Sequence, residues 1–150
     1  MINLIYIDGD SSPIKDLAID IAKKNEQQVT IYFDDSHLYT SDYAKVITVS
    51  TGKDSVDYAI LKDINNGDIL ITDDYGLASL ALIKMVTVIT SKGIILSNDN
   101  INSFLTSRFL SQKERLNNKH LKGPKKRTSY DDKKFCDTLN LLLENKETQF

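Results

Sequence analysis

Residues 2–8 read INLIYID, and residues 9–15 continue GDSSPIK. The first run is almost continuously apolar, which suits a strand buried on both faces in the middle of a parallel sheet. A carboxylate, Asp8, closes it. Ser12 followed by Pro13 has the form of an N-cap with proline at the first helical position. Ile14, Leu17, Ala18, Ile21 and Ala22 then share one helical face up to about Asn25. Strand, acid and helix in that order are the first half of an α/β unit.

The pattern repeats outward. Residues 28–33, QVTIYF, are β-branched and aromatic and predict a second strand. Residues 34–43 are polar and read as a loop; residues 45–50, KVITVS, predict a third strand. Asp54 or Ser55 opens a second helix, with Val56, Ala59, Ile60 and Ile64 inward, and Gly67 just past its end suits a C′ position. Residues 68–72, DILIT, predict a fourth strand, followed by Asp73-Asp74 and a helix over about 76–84. Val86–Ile89 and Ile94–Leu96 flank Ser91-Lys92-Gly93, which predicts a fifth strand with a short hairpin extension. A longer helix follows over 99–116, with Ile101, Phe104, Leu105, Phe109 and Leu116 inward. After the basic loop 117–127, NNKHLKGPKKR, Thr128 and Asp131 form a capping box with Asp in place of Glu. The last helix presents Phe135, Leu139, Leu142 and Leu143. This order predicts a single α/β domain over 1–150, a three-layer sandwich around a mainly parallel central sheet.

Composition narrows the class. At 41% hydrophobic and 27% charged, the 150-residue chain has the make-up of a soluble globular protein. No apolar run approaches the roughly 18–20 residues that span a bilayer. The N-terminus lacks the basic start and cleavage site of a signal peptide. One cysteine, Cys136, excludes an internal disulfide and a cysteine-based zinc site, and the expected home is the cytoplasm. His37 and His120 lack a neighbouring ligand pattern and read as surface residues. Cys136 reads as core.

The net charge of −2 hides two asymmetries. Of 21 acids, 17 are Asp and 4 are Glu. Residues 1–104 carry a net −7, whereas residues 108–134 carry 10 basic and 3 acidic side chains, a net +7. In open α/β sheets, sites lie beyond the carboxyl ends of the strands. Here those ends are acidic: Asp8 and Asp10 follow strand one, Asp54 and Asp57 follow strand three, and Asp73 and Asp74 follow strand four. Each group alone suits a cap or a turn. Together, without His or Cys, they read as a site for a hard cation, Mg²⁺ or Mn²⁺, because converging carboxylates repel unless a cation or a proton compensates. Thr72 at the strand end is placed to orient a carboxylate.

These residues resemble a known family. Asp8-Gly9-Asp10-Ser11-Ser12-Pro13-Ile14-Lys15 is similar to the D-A-D-A-C-P-V-K opening of the YaiI/YqxD family of bacterial proteins. Gly52-Lys53-Asp54-Ser55-Val56-Asp57 resembles its G-F-D-x-A-D, and residues 67–78 resemble its G-D-L-V-I-T-A-D-I-P-L-A. Arg108 and Arg115 keep the spacing of two family arginines. Gly123-Pro124, Thr128, Asp131 and Phe135 match G-P-x-x-x-S-x-x-D-x-x-x-F. Ser12 stands where the family has Cys, Asp73 where it has Ala or Gln, Gly76 where it has Pro and Met85 where it has Gly. Thr90-Ser91-Lys92-Gly93 is a loose version of N-P-R-G.

The family is grouped with PIN-like domains, so the resemblance implies a PIN-like fold and an Mg²⁺- or Mn²⁺-dependent nuclease acting on RNA. By motif, Asp8 is the strand-one acid and Asp74 the acid of T-x-D. Asp54 or Asp57 is the acid on helix two, Asp10 belongs to this family's opening, and Thr72 and Asp73 support. The expected phosphate contacts are Lys15, Arg108, Arg115, Lys122, Lys125, Lys126 and Arg127. Aromatic residues within the basic segment are sparse, with Phe109 and Tyr130 alone offering stacking faces. Other readings stay open. One is a phosphatase of the haloacid-dehalogenase type with Asp8 as nucleophile. Another is a PIN-like module that binds RNA or a protein without catalysis. A receiver-like phospho-acceptor fits less well, because Lys92 is explained by a hairpin turn.

Overall fold

The computed structural model describes residues 4–117 and 126–147. Strand β1 (Ile5–Asp8) is buried along its whole length. It pairs in parallel with β2 (Val29–Asp34) on one side, Ile5 opposite Val29, and with β4 (Ile69–Ile71) on the other, Ile5 opposite Ile69. Strand β3 (Lys45–Val49) adds to β2 in parallel, and β5 (Thr87–Ile89) adds to β4 in parallel. The short β6 (Ile95–Leu96) runs antiparallel to β5, as the hairpin reading expects. The order across the six-stranded sheet is β3-β2-β1-β4-β5-β6. The chain first builds outward from β1 through β2 to β3, then returns to β1's other edge with β4. The gap beyond the carboxyl ends of β1 and β4 is therefore the topological switch point.

Alternation along the strands sorts the apolar side chains into two layers. Ile5, Ile7, Ile31, Phe33, Ile71 and Ile89 face α1 (Lys15–Lys24) and α5 (Ser129–Glu147), and meet Ala18, Ile21, Phe135, Leu139 and Leu143. Tyr6, Tyr32, Leu70 and Val88 face the opposite way. They pack on Ile60 of α2 (Ser55–Asp63), Leu77, Ala78 and Ala81 of α3 (Tyr75–Ile83), and Ile101 at the start of α4 (Ile101–Asn117). The result is the expected three-layer α/β sandwich. The two buried tyrosines keep their hydroxyls satisfied: Tyr6 donates to the Asp63 carbonyl at 3.2 Å and Tyr32 to the Asp63 carboxylate at 2.5 Å.

No helix crosses between the parallel strands β2 and β3. The connection is a loop that lies over α1. It is pinned there by Tyr39, whose hydroxyl donates to Asp16 at 2.6 Å, and by Tyr43, whose hydroxyl donates to the Gln27 carbonyl at 2.5 Å. The capping box at α5 forms as expected: the Thr128 N–H donates to Asp131 Oδ2 at 3.0 Å, and the Asp131 N–H to Thr128 Oγ1 at 3.3 Å. Cys136 is half-buried against the α1–α5 core.

Three local readings differ from the structure. Ser12 caps no helix. A 3-10 turn, Gly9–Ser11, follows β1, and α1 starts only at Lys15, while the buried Ser12 hydroxyl turns inward to the Ile71 carbonyl at 3.5 Å. Gly67 is not the C′ residue of α2, which ends at Asp63; its φ of +91° instead bends the chain into β4. Phe109 and Leu116 point outward, 64% and 84% exposed, because α4 meets the core only through its first residues, Ile101, Phe104 and Leu105. Helical spacing says which residues share a face, not whether anything lies opposite. Among the described residues, no helix is long and apolar enough to cross a membrane.

Gly93 ties the β5–β6 turn to α5. Its φ is +78°, its carbonyl accepts from Thr138 Oγ1 at 2.9 Å, and a Cβ there would lie 2.7 Å from the Lys134 carbonyl oxygen. Backbone conformation and contact both oppose a side chain. Gly93→Ala is therefore expected to destabilise the fold by more than about 1 kcal/mol, read by urea unfolding. An unchanged midpoint would contradict this role.

Candidate functional site

Strand ends and helix starts bring the acids together at the switch point. Asp8 ends β1, Asp57 sits in the first turn of α2, and Asp74 is the N-cap of α3. One carboxylate oxygen from each lies within 4.8 Å of the other two. They line a cleft of about 260 Å³, shared with Asp10, Asp34 and Asp54 at its rim.

Each member of this trio is held by its own local structure. Asp8 is buried, 4% exposed, and its Oδ2 accepts from the Ser11 hydroxyl at 2.7 Å and the Thr72 hydroxyl at 2.9 Å. Thr72 Oγ1 also accepts from the Asp74 N–H at 3.0 Å, so one hydroxyl links the ends of β1 and β4. Asp74 Oδ1 accepts from the Leu77 N–H at 3.1 Å, which caps α3 and sets the carboxylate at a helix N-terminus.

The remaining predicted acids go elsewhere. Asp54 adopts a left-handed backbone, φ +61°, ahead of α2, and its carboxylate stands outside the close trio; Asp57 is the acid of that pair that joins it. Asp10 faces a second group, 3.0 Å from His37 Nδ1, and accepts from the Asp34 N–H at 3.3 Å. His37 Nδ1 is also 3.3 Å from Asp34 Oδ1, and donors of Asp10, Asp34 and His37 again lie within 4.8 Å of one another. His37 is thus a surface residue, as expected, but one with carboxylate neighbours that the sequence reading denied it. The spacing Asp34–His37 was a weak local signal for the pair. Nothing local signalled Asp10, which the β1–β2 pairing brings in. Ser11 was missed as well, although it sits three residues after the acid it holds.

Asp73 turns away from the trio. Its carboxylate accepts from the Ser91 N–H at 2.8 Å and the Ser91 hydroxyl at 2.6 Å, stapling the end of β4 to the β5–β6 turn. Both partners are departures from the motif pattern described above, Asp73 for Ala or Gln and Ser91 for Pro. They meet in space, and proline could supply neither of those donors.

The family model described as "Uncharacterized BCR, YaiI/YqxD family" matches residues 6–145. The chain belongs to the YaiI/YqxD family. It is 40% identical over 144 residues to a "UPF0178 protein" of Lachnoclostridium phytofermentans, covering 94% of this chain and 97% of that one. A "UPF0178 protein" of Natranaerobius thermophilus is 41% identical over 140 residues, covering 93% and 95% of the two chains. One from Oceanobacillus iheyensis is 43% identical over 130 residues, covering 85% and 89%. No solved structure matches.

Of the expected phosphate contacts in this YaiI/YqxD chain, Arg108 and Arg115 line one cleft, and Lys15, Lys126 and Arg127 do not. Arg108 is exposed on α4 and Arg115 is half-buried toward the end of that helix. Lys126 is exposed, and Arg127 Nε pairs with Asp132 at 2.6 Å. Lys15 Nζ lies 3.5 Å from the Ser12 carbonyl. Lys122, Lys125 and His120 fall outside the described residues.

Burial and crowding together shift Asp57 and Asp8. Burial, with the Asp74, Asp8 and Asp54 charges adding to it, pushes the Asp57 carboxyl up to about 6. Burial also raises Asp8, against the hydrogen bonds from Ser11 and Thr72. An unfolded Asp titrates near ~3.9. The folded state therefore holds extra protons above that pH, and the stability they supply, complete below about pH 4, is lost as pH rises through about 6. Asp34, lowered mainly by its hydrogen bonds from Ser36, works in the opposite sense. Asp57→Asn is expected to flatten the loss between pH 4.5 and 7 when urea unfolding is measured in EDTA. Parallel pH profiles for wild type and variant would contradict the assignment.

Proposed function

We propose that this chain hydrolyses phosphodiester bonds, with RNA as substrate and Mg²⁺ or Mn²⁺ as cofactor, on a PIN-like scaffold. The observation that carries the reading is the convergence of Asp8, Asp57 and Asp74 within 4.8 Å at the switch point. Three carboxylates that close repel, and burial together with that repulsion lifts the Asp57 carboxyl to about 6. A divalent cation offers the alternative compensation. The donor set is entirely oxygen, which suits Mg²⁺ or Mn²⁺ better than zinc or copper.

Asp8, Asp57 and Asp74 would hold the ion, with Asp10 and Asp54 on the rim of the same cleft. When bound, the ion supplies Lewis acidity at a phosphate oxygen and a water acidic enough to react near neutral pH. The chain's own groups prepare that chemistry. Ser11 and Thr72 lock the Asp8 carboxylate in one orientation. The first N–H groups of α3 support the charge on Asp74. Asp57 would hold the ion as the carboxylate. A polyanionic substrate is supported by the net +7 of residues 108–134, which contrasts with the acidic remainder.

Two measurements test this reading. With Mn²⁺, purified protein is expected to cleave single-stranded RNA, and Asp8→Asn to lower the rate at least about a hundredfold. Equal cleavage by the variant would overturn it. In a thermal melt, Mn²⁺ is expected to raise the wild-type Tm. Asp74→Asn should lose most of that rise while keeping its helix cap, since Asn caps as well as Asp. A full Mn²⁺ shift in that variant would remove Asp74 from the ion's ligands.

A further inference from the structure

A second cleft, of about 490 Å³, is lined by Asp73 and Tyr75, the two residues that flank Asp74 of the acidic trio. It lies between α4 and the β5–β6 turn, and its chemistry is the reverse of its neighbour's. Lys92, Arg108 and Arg115 line it, and among the described residues none of the three forms a salt bridge. Its apolar wall is aromatic. The rings of Tyr75 and Phe104 sit 5.4 Å apart at 33°, and the Arg108 guanidinium lies over the Tyr75 ring, 5.9 Å from its centre. The acid on the wall, Asp73, is already engaged by two donors from Ser91. The volume is within the roughly 300–1,000 Å³ of small-molecule sites.

We infer that this cleft is a nucleotide subsite, taking one base and an adjacent phosphate of an RNA strand whose scissile bond lies at the acidic trio. The inference rests on the proposed nuclease reading for what it serves, but not for its own chemistry. Flat aromatic and guanidinium surfaces stack single-stranded bases with little sequence preference. Cations that form no salt bridge take phosphate oxygens. The acidic trio alone offers a polyanion no attractive surface unless a cation is bound. A basic stacking pocket beside it anchors the strand independently. The connection between the two clefts is one residue long: Asp74 belongs to the trio, and Tyr75 belongs to the pocket. This juxtaposition also adds stacking faces to the few, Phe109 and Tyr130, of the basic segment itself. The added faces come from the start of α3 and the first turn of α4.

The test is binding of adenosine 5′-monophosphate to the full chain in EDTA, followed by calorimetry or by amide chemical shifts. AMP is expected to bind without metal, at least about tenfold more tightly than adenosine or inorganic phosphate alone. Arg108→Ala and Tyr75→Leu should each weaken it about tenfold or more. Arg108→Lys, which keeps the charge but not the plane, should recover only part. No AMP binding at millimolar concentration, wild-type affinity in both Arg108→Ala and Tyr75→Leu, or phosphate binding as tightly as AMP would each overturn the subsite. Binding in EDTA with these losses, but no cleavage with Mn²⁺, would keep the subsite and sink the nuclease reading. Mn²⁺-dependent cleavage with an unchanged KM for RNA in Arg108→Ala would do the reverse.

Discussion

Strand β1 is the constraint on which everything else hangs. It is hydrogen-bonded on both edges and covered on both faces, so every residue in Ile5–Asp8 is buried. A strand in that position must be apolar along its length, and its last residue must emerge at the switch point of the sheet. Asp8 is that residue. Its carboxylate is far enough inside to be desolvated and close enough to the surface to face a cleft. The cost of leaving it there is offset by two hydroxyl donors, Ser11 just after the strand and Thr72 from the neighbouring one.

From that point the site is assembled by topology. Helix α2 brings Asp57 from its first turn and α3 brings Asp74 as its N-cap, both positions where a negative charge is favoured by the helix dipole. The same local preference that places acids at helix starts thus concentrates them in one cleft, where burial, and after it their mutual repulsion, raises Asp57. Thr72 coordinates this arrangement by bonding both Asp8 and the Asp74 backbone. The neighbouring residue, Asp73, serves the scaffold through Ser91. Two adjacent aspartates therefore do different work, one facing the trio and one stapling a turn.

Acidic and basic clefts meet at the Asp74–Tyr75 bond. Their separation matters physically. Cations placed within the trio would neutralise the carboxylates and weaken any claim of a metal on them, whereas cations a few residues away hold a polyanion without competing. The proposed division of labour, with chemistry at the acids and grip at the aromatic-basic pocket, follows from that electrostatic bookkeeping.

Some of this was legible in the chain alone. Continuous apolar runs mark the parallel strands because a strand covered on both faces tolerates little else, and the capping box at Thr128 and Asp131 is local enough to read directly. The acids at strand ends were legible for the same reason. Their partners were not. Which of Asp54 and Asp57 faces Asp8 depends on a left-handed residue ahead of α2. Whether Asp10 stands with Asp8 or with His37 depends on a parallel pairing across a long connection. Phe109 and Leu116 share the inward periodicity of α4, yet face outward because the core touches only the start of that helix. Sequence by itself determined the layers and the acidity of one sheet edge, since burial and helix-dipole effects act on neighbours along the chain. Only the tertiary structure decided which carboxylates, hydroxyls, rings and cations meet, because those contacts join residues that strand order, not chain order, makes adjacent.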